Sequence, residues 1–226
     1  MPDHSDHASN YHGGQPVAAA GPPLESAEAV VILVHGRGDS AEGIMGLAEV
    51  LDQPTFAFLA PQARGFQWYP NSFLAPLDAN EPYLTSALAS LDAMVRRTAE
   101  AGFPADRVVI AGFSQGACLA CEYVARNAQR YGGLIAFSGG LIGSGQRPGF
   151  LPPDDKMFEY DGDLAGTPVF IGCSDVDPHI PLGRVERTAE VLRSLGAEVT
   201  KRIYPRMGHT INEDEIAGAH ALLGGL

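Results

Sequence analysis

Residues 108–125 read VVIAGFSQGACLACEYVA. β-Branched and apolar residues run from Val108 to a break at Gly112, and beyond Gly116 the apolar spacing becomes helical. A single hydroxyl, that of Ser114, stands at the break. Strand, tight turn and helix in direct succession are half of the unit from which parallel sheets are built, so this stretch sets the expectation for its neighbours.

The neighbours follow the same rhythm. Short apolar runs, VVILVH (30–35), FAFLAP (56–61), RVVIAGF (107–113), LIAFSG (134–139), PVFIGC (168–173) and VTKRIYP (199–205), alternate with helical segments expected near Ala41–Leu51, Tyr83–Ala101, Gln115–Tyr131, Leu182–Leu195 and Asn212–Leu223. Nearly all the runs are apolar on both faces, as strands covered by helices on each side must be. The fold class is therefore α/β with a mostly parallel central sheet and helices on both faces. A weaker strand is expected near Gln15–Ala19. Pro61–Pro82 and Gly139–Thr167 are rich in Gly and Pro, lack a period and read as long loops, which in compact domains serve function or move.

The chain has 226 residues and no sharp shift in composition, so residues 15–226 are taken as one domain. Residues 1–14, MPDHSDHASNYHGG, have no apolar period and read as a disordered tail, whose His4, His7 and His12 would offer a metal no fixed geometry. A formal net charge of -12 argues against binding to phosphate backbones, which needs clustered cations, so no nucleic-acid partner is expected. No apolar run reaches bilayer length and the N-terminus has no signal-like pattern; the expectation is a soluble, cytoplasmic chain without membrane insertion. Cys118 and Cys121 have a C-x-x-C spacing but fall within a helical pattern, so they read, like Cys173, as small core residues.

The G-x-S-x-G arrangement of residues 112–116 gives Ser114 a second meaning besides capping a helix. A nucleophilic serine on a strained strand-to-helix turn needs small flanking residues, because strand and helix approach closely there. Its oxygen then sits at a helix N-terminus, facing backbone N–H groups. A serine hydroxyl also needs an imidazole to take its proton, and the imidazole needs a carboxylate to fix its tautomer. Both follow later strands in the order acid, then histidine: SDVDPHIPL (174–182) offers Asp175 and Asp177, and RMGHTI (206–211) offers His209. Asp177 is favoured as the acid because Pro178 stiffens its loop, leaving Asp175 to brace the turn. An oxyanion hole can come from HGRGD (35–39), through the Arg37 amide, together with the amide of Gln115. That glycine loop lacks the endings of nucleotide-binding motifs.

The motifs HGRGD, GFSQG, DPHIP and MGH, in this order, resemble the phospholipase/carboxylesterase family of α/β-hydrolases, which includes acyl-protein thioesterases and bacterial esterases. The resemblance runs from about Val30 to the C-terminus. It implies an α/β-hydrolase fold with Ser114 as nucleophile, Asp177 as acid, His209 as base and the amides of Arg37 and Gln115 as the hole. Members acting on acyl-proteins tend to carry Leu where this chain has Arg37, and the aromatic segment 65–84 is longer than that resemblance leads one to expect.

The sequence thus points to a serine carboxylesterase working through an acyl-enzyme on a small-molecule ester, with no cofactor and no metal. Acyl-protein thioesterase or lysophospholipase activity at the same site is the alternative, and a non-catalytic binding protein on the hydrolase scaffold is a further one. A dienelactone-hydrolase-like enzyme would carry Cys in place of Ser114. A homodimer is compatible with the reading. Adjacent Trp68 and Tyr69 before Pro70 are expected to wall the acyl end of the pocket and favour short or medium chains, whereas Phe66 and Phe73 pin the loop or touch substrate.

Overall fold

Strands that are apolar at every position must be covered on both sides, and the chain buries them accordingly. The computed structural model describes residues 10–144 and 156–226. Its seven-stranded sheet has the order β1-β3-β2-β4-β5-β6-β7, formed by β1 (Val17–Ala20), β2 (Ala29–Val34), β3 (Phe56–Pro61), β4 (Val108–Phe113), β5 (Gly133–Phe137), β6 (Pro168–Ser174) and β7 (Glu198–Tyr204). All neighbours pair in parallel except β1, which runs antiparallel to β3. The outer strand β7 is nowhere fully buried, with Glu198 and Thr200 exposed and the rest half-buried, as a sheet edge allows.

The helices are α1 (Ala41–Ile44), α2 (Gly46–Leu51), α3 (Tyr83–Glu100), α4 (Gln115–Arg126), α5 (Leu182–Ser194) and α6 (Glu213–Leu223). Alternate strand residues feed opposite layers. Val31, Leu33, Val109 and Ala111 pack with α1, α2 and α6, whereas Ile32, Val34, Val108 and Ile110 pack with α3, α4 and α5. This period of two, apolar in both phases, is what the unbroken runs in the sequence encode.

Two expected helices end differently. Ala41–Leu51 is split at Met45 because Gly43 and Gly46 weaken a continuous helix, and Ser40 caps only the first piece by accepting from the Gly43 amide. The segment expected to continue to Tyr131 stops at Arg126. Tyr131 instead turns back, its hydroxyl donating to Asn127 O at 2.8 Å and its amide to Thr167 Oγ1 at 3.0 Å. The apolar side chain that suggested another helical turn is buried by a reversal of the chain.

Residues 10–14, which the sequence places in the tail, pack on the domain. Tyr11 packs edge-on against Tyr83 at 4.7 Å, and His12 is 3% exposed. The His12 Nδ1 accepts from the Arg64 amide at 3.1 Å, which leaves Nε2–H to donate to Trp68 O at 2.9 Å. His12 is therefore a structural strap, which the absence of any apolar period around it concealed. His4 and His7 lie outside the described residues. So does the centre of the loop expected over Gly139–Thr167; its described flanks carry only an isolated bridge between Ala128 and Gly162.

Candidate active site

The turn after β4 is built by close backbone approach. A Cβ on Gly116 would lie 2.0 Å from Val34 O, and one on Gly112 would lie 2.6 Å from the carbonyl carbon of Gly116. Only glycine lets α4 start directly against β2 and β4. Between them Ser114 takes φ 56 and ψ −121, a conformation rare for an L-residue, and its side chain makes no helix-cap hydrogen bond. The structure thus decides against the simple capping role.

The Ser114 hydroxyl points to His209. Ser114 Oγ and His209 Nε2 are 2.8 Å apart, and His209 Nδ1 is 2.7 Å from Asp177 Oδ2. A carboxylate can only accept, so Nδ1 carries the imidazole proton and Nε2 is the basic nitrogen facing the serine. Asp177 Oδ1 accepts from the amides of His179 at 2.8 Å and Ile180 at 3.0 Å. Burial pushes the Asp177 carboxyl up, but these bonds from His209 and the two amides outweigh it and hold the group below its usual range. Asp175 lies elsewhere: its Oδ1 accepts from the Arg206 amide at 2.7 Å and ties the loops after β6 and β7 together.

Beside the serine runs the 36–38 turn. A Cβ on Gly36 would stand 3.5 Å from Ser114 Cβ. Among the described residues the amides of Arg37 and Gln115 have no acceptor. The turn is fixed from behind by Gly38 N donating to Phe66 O at 2.7 Å and by His35 Nδ1–H donating to Gly36 O at 2.8 Å. Burial holds the His35 imidazole below its ordinary pKa, and its Nε2 accepts from the Ala63 amide at 3.1 Å, so the ring is neutral with a fixed tautomer.

Ser114 and His209 open onto a cavity of about 510 Å³. Tyr69, Phe73, Phe113 and Ile180 form its apolar walls, with His179 at the mouth in edge contact with His209 at 4.8 Å. Tyr69 lies where the sequence suggested. Trp68 does not: it is 0% exposed, absent from the cavity wall, and donates through Nε1 to His35 O at 2.9 Å between the rings of His12 and His35. The chain bends at residues 68–70, and the bend turns the two neighbouring rings apart, Tyr69 to the cavity and Trp68 into the core. Phe73 lines the cavity, whereas Phe66 is 54% exposed.

Other features had no readable signal in the sequence. Cys118, one helical turn after Ser114, is buried as expected of a core thiol yet also reaches the cavity, and burial pushes its thiol up to about 12. The side chains of Arg37 and Gln115, anticipated only for their amides, both bind the loop that carries Tyr69. Among the described residues no cluster of metal-ligating groups occurs, and no helix is long and apolar enough to cross a membrane.

Comparison with known proteins follows the same lines. Acyl-protein thioesterase 1 of Debaryomyces hansenii is 26% identical over 90% of this chain and 92% of its own length. The crystal structure of a phospholipase/carboxylesterase from Dyadobacter fermentans superposes with a TM-score of 0.84 at 41% identity, covering 93% of this chain and 96% of that one. The Bacillus cereus carboxylesterase, at 20% identity and a TM-score of 0.68 over 96% of both chains, shares the fold. A profile described as phospholipase/carboxylesterase matches residues 17–223, and the chain belongs to that family of α/β-hydrolases.

Proposed function

We propose that the protein is a serine carboxylesterase that cleaves short and medium acyl esters through an acyl-enzyme on Ser114. The observation that carries this reading is the unbroken chain from Ser114 Oγ through His209 to Asp177 at the floor of an apolar cavity. His209 Nε2 takes the hydroxyl proton as Ser114 attacks the ester carbon, and the oxyanion is held by the amides of Arg37 and Gln115. The imidazolium then protonates the leaving alcohol. In the second half His209 deprotonates water, which attacks the acyl-serine and releases the acid. Asp177 keeps the proton on Nδ1 and stabilises the imidazolium. Only side chains, backbone amides and water take part.

The thioesterase name of the curated relatives favours a second substrate class, because a thioester presents the same carbonyl to the same nucleophile. Hydrolysis of p-nitrophenyl acetate, butyrate, octanoate and palmitate, beside thioesters of matched acyl length, separates the two. The expected result is turnover of the shorter oxygen esters with stoichiometric fluorophosphonate labelling, both abolished in Ser114→Ala. Retention of more than about a tenth of the wild-type rate by Ser114→Ala would rule out the acyl-enzyme. A wild type that takes up no fluorophosphonate would be a binding protein on a hydrolase scaffold.

A further inference from the structure

The segment that walls the cavity is held at its ends by bonds to the main body. Upstream, Trp68 Nε1 donates to His35 O and Phe66 O accepts from Gly38 N; downstream, Phe73 O accepts from Gly143 N. Between those anchors, Asn71 and Ser72 bond to Asn80, which belongs to the same excursion of the chain. Beside the packing of the Tyr69 ring in the core, the hydrogen bonds joining residues 69–71 to the main body come from Arg37 and Gln115, which flank Ser114. Arg37 Nη1 donates to Gln67 Oε1 at 2.7 Å and to Pro70 O at 2.9 Å. Its Nη2 donates to Tyr69 O at 2.8 Å and to Asn71 O at 2.7 Å. Gln115 Nε2 shares Tyr69 O at 2.9 Å, and its Oε1 accepts from the Trp68 amide at 2.9 Å.

A planar guanidinium with both terminal nitrogens used twice grips three successive carbonyls as no other side chain can. The Tyr69 ring lies where this grip puts it. The ring is buried, with its hydroxyl against the Cys118 thiol at the back of the cavity wall. We propose that Arg37 is the specificity-determining residue of the enzyme: its side chain sets the acyl-chain limit by holding the Tyr69–Asn71 wall against the oxyanion turn. The proposal rests on the ester-hydrolase reading for its substrate class. The residue that presents an amide to the oxyanion thereby also fixes the width of the pocket, so chain-length preference and the geometry of the hole are coupled through one side chain.

The test compares wild type with Arg37→Met, which keeps length and loses every donor, and Arg37→Lys, which keeps the charge but not the fork. For each, kcat/KM is measured on p-nitrophenyl acetate and octanoate, active sites are counted by fluorophosphonate, and amide hydrogen exchange is followed over residues 67–73. Arg37→Met should raise the octanoate-to-acetate ratio by about tenfold, the scale of a changed fit of one or two methylenes, with faster exchange in that segment and Arg37→Lys between the two. An unchanged ratio in labelled Arg37→Met, or unchanged exchange at residues 67–73, overturns the proposal. Should Arg37→Met fail to fold, the same two readouts on Arg37→Lys decide. If wild type hydrolyses neither ester, the ester-hydrolase reading fails, and the exchange data alone judge the clamp.

Discussion

Replacing Asp177 by Asn removes one charge and leaves the shape of the side chain intact, and the structure dictates what the amide must then do. The amides of His179 and Ile180 both donate to Oδ1, so the Asn oxygen has to occupy that position. Its NH2 group is left where Oδ2 now stands, 2.7 Å from His209 Nδ1. Two donors cannot face each other, so the imidazole proton moves to Nε2 and points at Ser114 Oγ, the atom it must deprotonate. The imidazolium of the transition state also loses its counter-charge. At a charge separation of about 4 Å and an effective dielectric near 20, that attraction alone is worth about 4 kcal/mol. Adding the unfavourable tautomer brings the loss to about 5.5 kcal/mol, or roughly 10⁴-fold in kcat. Because Asp177 does not line the cavity, KM should stay within about threefold. Steady-state kinetics with p-nitrophenyl butyrate, on enzyme whose melting curve is normal, measures both quantities. Asp177→Ala presents no misplaced donor and should be no slower than the Asn variant. A kcat for Asp177→Asn within about tenfold of wild type would refute both the triad assignment and the role given to the two loop amides.

Gly116→Ala drives a methyl into Val34 O and His35 O and should lower both the melting temperature and kcat, with a stability cost of about 1–3 kcal/mol or more by urea titration. Trp68→Ala should cost about 3–5 kcal/mol by emptying the core between His12 and His35, and native-like stability in that variant would contradict the position given to the ring. Burial holds both His12 and His35 below 6.5, so the unfolded chain binds the extra protons and stability should fall as pH drops from about 6.5 toward the folded pKa values. Urea midpoints at pH 7.5 and 5.5 should show this, with a shallower fall in His12→Gln. Glu215 acts oppositely: burial raises its carboxyl from 4.5 to about 7, so the folded state holds the proton longer and stability falls as pH rises across that window. Glu215→Gln should remove the part of the stability change that falls between about pH 4.5 and 7.

Much of the site was legible because covalent neighbours carry it. The strained turn is written into Gly112, Ser114 and Gly116: Gly112 meets the backbone of Gly116 within the same strand-turn-helix, while Gly116 also makes room for Val34 O and His35 O at the end of the neighbouring strand. That Asp177 and His209 would meet near Ser114 could be expected from their places after β6 and β7, because parallel strands deliver their C-terminal loops to one edge. Pro178 distinguished Asp177 from Asp175, and the geometry agrees. Helix ends were less legible: Tyr131 fits a helical period, yet hydrogen bonds to Asn127 and Thr167 reverse the chain there.

The sequence by itself determined the alternation of strands and helices, the two-sided burial of the sheet and the placing of Ser114, Asp177 and His209 after successive strands. These follow from periodicity and from residue types at chain-adjacent turns, which are local properties. Tertiary structure alone decided that His12 is a strap rather than part of a mobile tail, that Trp68 turns inward while Tyr69 faces the cavity, and that Arg37 grips the carbonyls of residues 69–71. Each depends on a side chain meeting backbone atoms more than 30 residues away in sequence. A carbonyl looks the same in every residue, so nothing in the sequence marks which ones a guanidinium or an imidazole will find.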